Sequence, residues 1–85
     1  MGTQLTVYAR AYCHLCDDMI AALQSLQGRF DFDVMVVDVD EDEALVMRYD
    51  ERVPVLTVRE SGSERELCHH FLDEPVVTAF LSEMR

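Results

Sequence analysis

Two cysteines three positions apart, Cys13 and Cys16, stand where the hydrophobic rhythm of this sequence changes. Before them, Gln4-Leu5-Thr6-Val7-Tyr8 is a short β-prone run. After them, Cys16, Met19, Ile20, Leu23 and Leu26 recur at helical spacing as one apolar stripe, with Asp17, Asp18, Gln24, Ser25 and Gln27 on the wet side. Asp17 and Asp18 sit in the first turn, where the helix dipole favours negative charge, and Gly28 reads as the C′ residue. The chain therefore predicts a strand, a loop over Ala9 to Tyr12, and a helix whose first turn carries both thiols.

The remaining elements follow from the same two periods. Phe32 to Val39 reads as a second strand, and its middle, Val34-Met35-Val36-Val37, is apolar on both faces, as suits a parallel strand covered by helices on each side. Asp40 to Asp50 reads as a short helix carrying Ala44, Leu45, Met47 and Tyr49. Pro54 to Val58 is a third strand with proline at its first residue, where no ladder bond is lost. Glu60-Ser61-Gly62-Ser63 supplies a turn, and Glu64 to Cys68 returns as a fourth strand. Asp73 is a helix N-cap with Pro75 close behind, and Val77, Phe80, Leu81 and Met84 repeat at helical spacing. The order β-α-β-α-β-β-α predicts an α/β domain over residues 1–85, with a four-stranded mixed sheet flanked by helices. The crossover makes strands one and two parallel.

Composition narrows the functions open to such a domain. The 85 residues carry a formal net charge of −10, and all seven basic residues are arginine. That surface repels phosphate backbones, which argues against nucleic acid and anionic membranes as partners. No stretch approaches the roughly 18 apolar residues of a membrane span. Met1 to Ala9 has no basic stretch followed by an apolar run, so no export signal is read. The expectation is a cytoplasmic monomer, in a compartment that keeps thiols reduced.

Three cysteines in a reducing compartment do not make a disulfide framework, so spacing matters more than count. At a helix start, the first-turn N–H groups lack backbone partners and the dipole adds partial positive charge. Both favour the thiolate of Cys13, the species that attacks a disulfide. Cys16, one turn on and on the apolar stripe, is near enough to close a disulfide. These residues predict a thiol–disulfide oxidoreductase with Cys13 as nucleophile and Cys16 as resolving thiol. Arg10 and His14 add positive charge near Cys13, and Asp17 and Asp18 oppose it. His14 reads equally well as an imidazolium that makes the disulfide more oxidising and as an exposed helix-start side chain. Tyr12, beside Cys13, is the aromatic residue placed to stack on a substrate.

The strand Leu5-Thr6-Val7-Tyr8, the motif Cys13-His14-Leu15-Cys16 and the later Val53-Pro54 together resemble the glutaredoxin branch of the thioredoxin-fold superfamily over nearly the whole chain. That resemblance implies a thioredoxin-like fold and a cis Pro54 lying against the cysteines. It also implies that Val53 offers its backbone N–H and C=O to the substrate as a one-residue antiparallel strand. The implied partner is a disulfide-containing protein or a glutathione mixed disulfide; no cofactor is implied beyond glutathione as co-substrate. Asp73 matches the acidic group that meets the glutathione amine, and Arg10, Arg48 or Arg52 is available for a carboxylate. The chain departs from the common pattern in two places. His14-Leu15 replaces Pro-Tyr between the cysteines, and Cys68-His69-His70-Phe71-Leu72 replaces a Gly-Gly stretch before the last helix.

A second reading is a non-catalytic module that uses the fold to hold zinc, an iron–sulfur cluster or a protein partner. Cys68-His69-His70 combined with Cys13 and Cys16 would supply N and S ligands suited to zinc. Cys68 reads better as a small hydrophobe in strand four, so no metal ligands are assigned. The acidic run from Asp38 to Glu43 begins like a calcium loop, but Glu43 stands where glycine is needed and Tyr49 where glutamate is needed. It reads as a solvated helix start.

Overall fold

The computed structural model describes residues 3–83. Strand β1 (Thr3–Ala9) leads through a short loop into helix α1 (His14–Leu26). Strand β2 (Phe32–Asp38) is followed by a 3-10 turn at Val39–Glu41 and helix α2 (Glu43–Tyr49). Strands β3 (Val55–Glu60) and β4 (Ser63–His69) form a hairpin, and helix α3 (Glu74–Glu83) follows. The sheet order is β2-β1-β3-β4, with β1 and β2 parallel and the other two pairings antiparallel. This is the expected β-α-β-α-β-β-α arrangement of a thioredoxin-like fold. No described helix is long and apolar enough to cross a membrane. Met84, expected on the stripe of the last helix, lies outside the described residues.

The two-residue period of the central strands sorts side chains into two layers. Leu5, Val7 and Ala9 of β1 and Leu56 and Val58 of β3 join Cys16, Met19, Leu23 and Leu26 of α1 and Val77, Phe80 and Leu81 of α3 in the larger core. On the opposite face, Val55 packs with Val39 and Tyr49, and Tyr8 lies against them with its ring stacked on Tyr49 at 4.5 Å between centroids. Strand β3 is thus buried on both faces from Val55 to Val58.

That double burial was expected of β2. Instead β2 lies at the sheet edge with β1 as its single neighbour, and Met35 and Val36, from opposite faces, both stay exposed. An apolar run shows that a strand tolerates burial on both sides; which strand occupies the middle depends on pairing. The expected helix over Asp40 to Asp50 is also divided. Asp38 caps the 3-10 turn by accepting from the Asp40 N–H at 2.9 Å, and Asp42 opens α2 by accepting from the Ala44 N–H at 2.9 Å. The acidic run therefore holds two caps in succession. Gly28 follows the cap of α1 without the left-handed backbone expected of it. Ser61 and Gly62 both have positive φ (50° and 83°), the pattern of a type I′ turn that matches the twist of a two-residue hairpin.

One polar cluster lies on the α2 face. Thr57 is 2% exposed, and its hydroxyl donates to Glu64 Oε2 at 2.7 Å, where the Tyr8 hydroxyl also donates at 2.5 Å. Burial works to raise the Glu64 carboxyl, but the two hydrogen bonds and the nearby Arg59 and Arg48 charges outweigh it and hold the group below its usual range. Burial and the Glu64 carboxylate push the Tyr8 phenol upward.

Two stability measurements check this account. Leu56→Ala, at a fully buried β3 position, is expected to cost about 2–5 kcal/mol in urea unfolding. Tyr8→Phe is expected to cost about 1 kcal/mol at neutral pH. The depressed Glu64 pKa contributes stability above the unfolded value of about 4.3, and that contribution is lost as pH falls through the lower folded value. The gap between wild type and Tyr8→Phe should therefore shrink below about pH 4; a gap constant with pH would sink the assignment.

Candidate active site

The site is built where β1, β3 and β4 meet the loops at one end of the sheet. Tyr8 pairs with Val55, and Val55 with His69. The loop leaving β1 toward Cys13, the Val53–Pro54 segment entering β3 and the His70–Phe71 segment leaving β4 are thereby brought to the same end. A further bond fixes the last two together, because the His70 N–H donates to the Pro54 carbonyl at 2.8 Å. The Val53–Pro54 peptide bond is cis.

Cys13 is the N-cap of α1, with an extended backbone (φ −115°, ψ 106°). Its Sγ accepts from the Cys16 N–H at 3.1 Å, and its carbonyl accepts from the Asp17 N–H at 3.1 Å. The sulfur thus takes the place that a serine or aspartate oxygen occupies in an ordinary cap. The Cα atoms of Cys13 and Cys16 are 5.2 Å apart and their sulfurs are at disulfide distance. Cys16 is 1% exposed and packed in the larger core, whereas Cys13 is half-buried at its edge. Of the pair, the Cys13 sulfur is therefore the one open to an incoming group.

Tyr12 adopts a left-handed backbone (φ 58°) that a bulky residue rarely takes, and its side chain stands fully in solvent. Arg10 does not contribute free positive charge. Its guanidinium is paired with Asp40 and with Asp50, each at 2.6 Å, which holds the group firmly protonated and spends its donors within the chain. His14 is exposed on the first turn of α1.

Val53 is half-buried and packs against both cores. Its N–H donates to the Tyr49 carbonyl at 3.1 Å, and among the described residues no backbone N–H is bonded to its own carbonyl. Of the two backbone groups expected to meet a substrate, the N–H is already engaged. The other arginines considered for a carboxylate differ in their surroundings. Arg52 pairs with Glu66, and Arg48 lies over the Tyr49 ring at 5.6 Å. Asp73 caps α3, accepting from the Val76 N–H at 3.2 Å.

Cys68, His69 and His70 do not join the two cysteines. Among the described residues no group of three or more His, Cys, Asp or Glu is assembled to hold a metal ion. His69 Nδ1 lies 2.9 Å from Glu66 Oε2, and His70 Nε2 lies 2.7 Å from the Glu51 carbonyl. Cys68 is a free, half-buried thiol packed against the larger core; burial pushes its pKa up, against the lowering effect of the Asp73 N–H bond. Sequence reasoning missed the pairing of Arg10 with Asp40 and Asp50. Those partners lie 30 and 40 residues away, and no local pattern announces them.

Comparison with known proteins agrees with this fold. The family model described as a glutaredoxin-like domain (DUF836) matches residues 4–82. The solution structure of protein Ne2328 from Nitrosomonas europaea is 43% identical, with a TM-score of 0.84 over 95% of this chain and 93% of that one. Protein XcR50 from X. campestris is 39% identical, with a TM-score of 0.64 over 93% of this chain and 96% of that one. The Drosophila thioredoxin Deadhead, 20% identical with a TM-score of 0.69 over 99% of this chain and 82% of that one, shares the fold. No curated protein matches the chain. The matched span and these identities establish that the chain belongs to the glutaredoxin-like (DUF836) family of thioredoxin-fold proteins.

Proposed function

We propose that this protein is a thiol–disulfide oxidoreductase that works through Cys13 and Cys16. The observation that carries the reading is the Cys13 cap: its sulfur accepts the Cys16 N–H at the start of α1 and sits within disulfide distance of a buried partner thiol. A backbone donor and the positive end of the helix both favour negative charge on that sulfur. The family's thioredoxin fold supports the same reading without fixing the reaction.

In the reduced chain the Cys13 thiolate attacks one sulfur of a partner disulfide. A Cys13–partner bond forms, the partner's sulfur–sulfur bond breaks, and the departing partner thiolate takes up a proton. Cys16 then loses its proton and attacks the Cys13 sulfur. This forms the internal disulfide and releases the second partner thiol. The partner gains two electrons and two protons, and the chain is left oxidised until an external dithiol or thiol reductant reverses the exchange. Burial of Cys16 favours this order, because an outside disulfide reaches Cys13 first. The Val53 carbonyl, bonded to no backbone N–H among the described residues, is the group that would accept from a substrate N–H. Tyr12 supplies an exposed ring next to the attacking sulfur, and the cytoplasm, with reduced thiols, is the setting that suits the cycle.

Two experiments test the assignment. Cys16→Ser is expected to accumulate a mixed disulfide with a model disulfide substrate, visible as added mass, while Cys13→Ser accumulates none and loses exchange. Identical behaviour of the two variants would reverse or abolish the roles. Thiolate absorbance of the reduced protein should titrate Cys13 below the free-cysteine value of about 8.5; a midpoint at or above it would remove the helix-start argument.

A further inference from the structure

The end of the molecule that displays Cys13 is chemically one-sided. Tyr12 is fully exposed, Leu15 is 37% exposed inside the motif, and Phe71 is 67% exposed on the segment tied to Pro54 by the His70 bond. Tyr12 and Leu15 neighbour Cys13 along the chain, and Phe71 lies at the same end of the sheet. Two arginines of these segments are spent: Arg10 on Asp40 and Asp50, and Arg52 on Glu66. The carboxylates of Asp17, Asp18 and Glu51 on the neighbouring segments appear in none of the ion pairs, and the whole chain carries a net charge of −10. An incoming anion therefore meets acidic charge, and the guanidinium groups of Arg10 and Arg52 are already ion-paired. An incoming cation with an apolar contact patch meets complementary charge and exposed rings.

Resting on the exchange reading above, we propose that the partner of Cys13 is a protein disulfide set in an apolar patch with a basic rim, and that Asp40 and Asp50 select for it by withholding Arg10 from anionic disulfides such as glutathione disulfide. Arg10 is the arginine nearest the motif in sequence, and two carboxylates hold it. The recognition is steering by charge followed by contact with Tyr12, Leu15 and Phe71. Its electrostatic part acts on the encounter rate and weakens as salt screens it.

The test uses the reduced full chain in single turnover, acid-quenched and followed by mass. The probes are two cyclic peptides with one internal disulfide and flanking phenylalanine, differing only in outer arginines or outer glutamates; glutathione disulfide is the third. The chain gives up two electrons and two protons in each case. At low salt the arginine peptide is expected to react about tenfold faster than the glutamate peptide, and the ratio should collapse toward one in about 1 M (roughly three-ångström screening) salt. In the Asp40→Asn, Asp50→Asn double variant the rate with glutathione disulfide should rise relative to the arginine peptide. Equal rates for the two peptides at low salt, with exchange intact, would overturn the selectivity and leave the oxidoreductase reading standing. A glutamate peptide or glutathione disulfide that reacts faster would overturn it in the same way. Failure of all three probes to exchange would overturn both. The peptide ratio in the unaltered chain keeps the proposal testable if the double variant does not fold.

Discussion

A single hydrogen bond organises the working end of this protein: the Cys16 N–H donating to the Cys13 sulfur at 3.1 Å. Any helix leaves its first N–H groups without intrahelical partners, and something must satisfy them. Here a thiol side chain does so, which couples the start of a helix to the state of a sulfur. Whatever lowers the energy of negative charge on that sulfur also strengthens the cap. The rest of α1 is built to keep this arrangement in place. Cys16, Met19, Leu23 and Leu26 bury one face against the sheet, so the helix start cannot drift from the end of β1.

The sheet supplies the second half of the site by topology. Strand β3 runs antiparallel to β1, so its entry segment, Val53–Pro54, arrives where the loop from β1 departs. The same pairing makes β3 the most buried strand, covered by α1 and α3 on one face and by the α2 side on the other. A reactive end placed on such a strand inherits its rigidity, since moving Pro54 would disturb both cores. The Val53 N–H bonded to Tyr49 and the Pro54 carbonyl bonded to His70 extend this hold to the backbone itself.

Excess negative charge is put to structural use. Asp38 and Asp42 cap successive turns, Asp40 and Asp50 hold Arg10, and Glu64 anchors the Tyr8 and Thr57 hydroxyls. The Arg10 pairs join the loop before Cys13 to the turn after β2 and to the end of α2, three segments that share no strand pairing. Exposed ion pairs of this kind contribute little to global stability, typically under about 1 kcal/mol each. Their consequence is local: they neutralise the Arg10 charge in the loop that precedes Cys13.

Much of this was legible in the residues themselves. Period two giving way to period 3.6 at Cys13 placed the thiols at a strand-to-helix junction, and pattern and composition together gave the order of the elements. The Tyr8-to-Val55 pairing, the edge position of β2 and the division of Asp40 to Asp50 into turn and helix were not legible. Local patterns report which faces of an element are apolar, because burial acts on each side chain separately. They do not report which elements become neighbours. Arg10 shows the difference most plainly: in sequence it is a cation three residues before Cys13, and folding brings two distant carboxylates to it. The sequence alone determined that Cys13 begins a helix and that Cys16 faces the core. Tertiary structure decided what surrounds that sulfur, because charge and contact depend on distances through space that strand pairing and loop closure set.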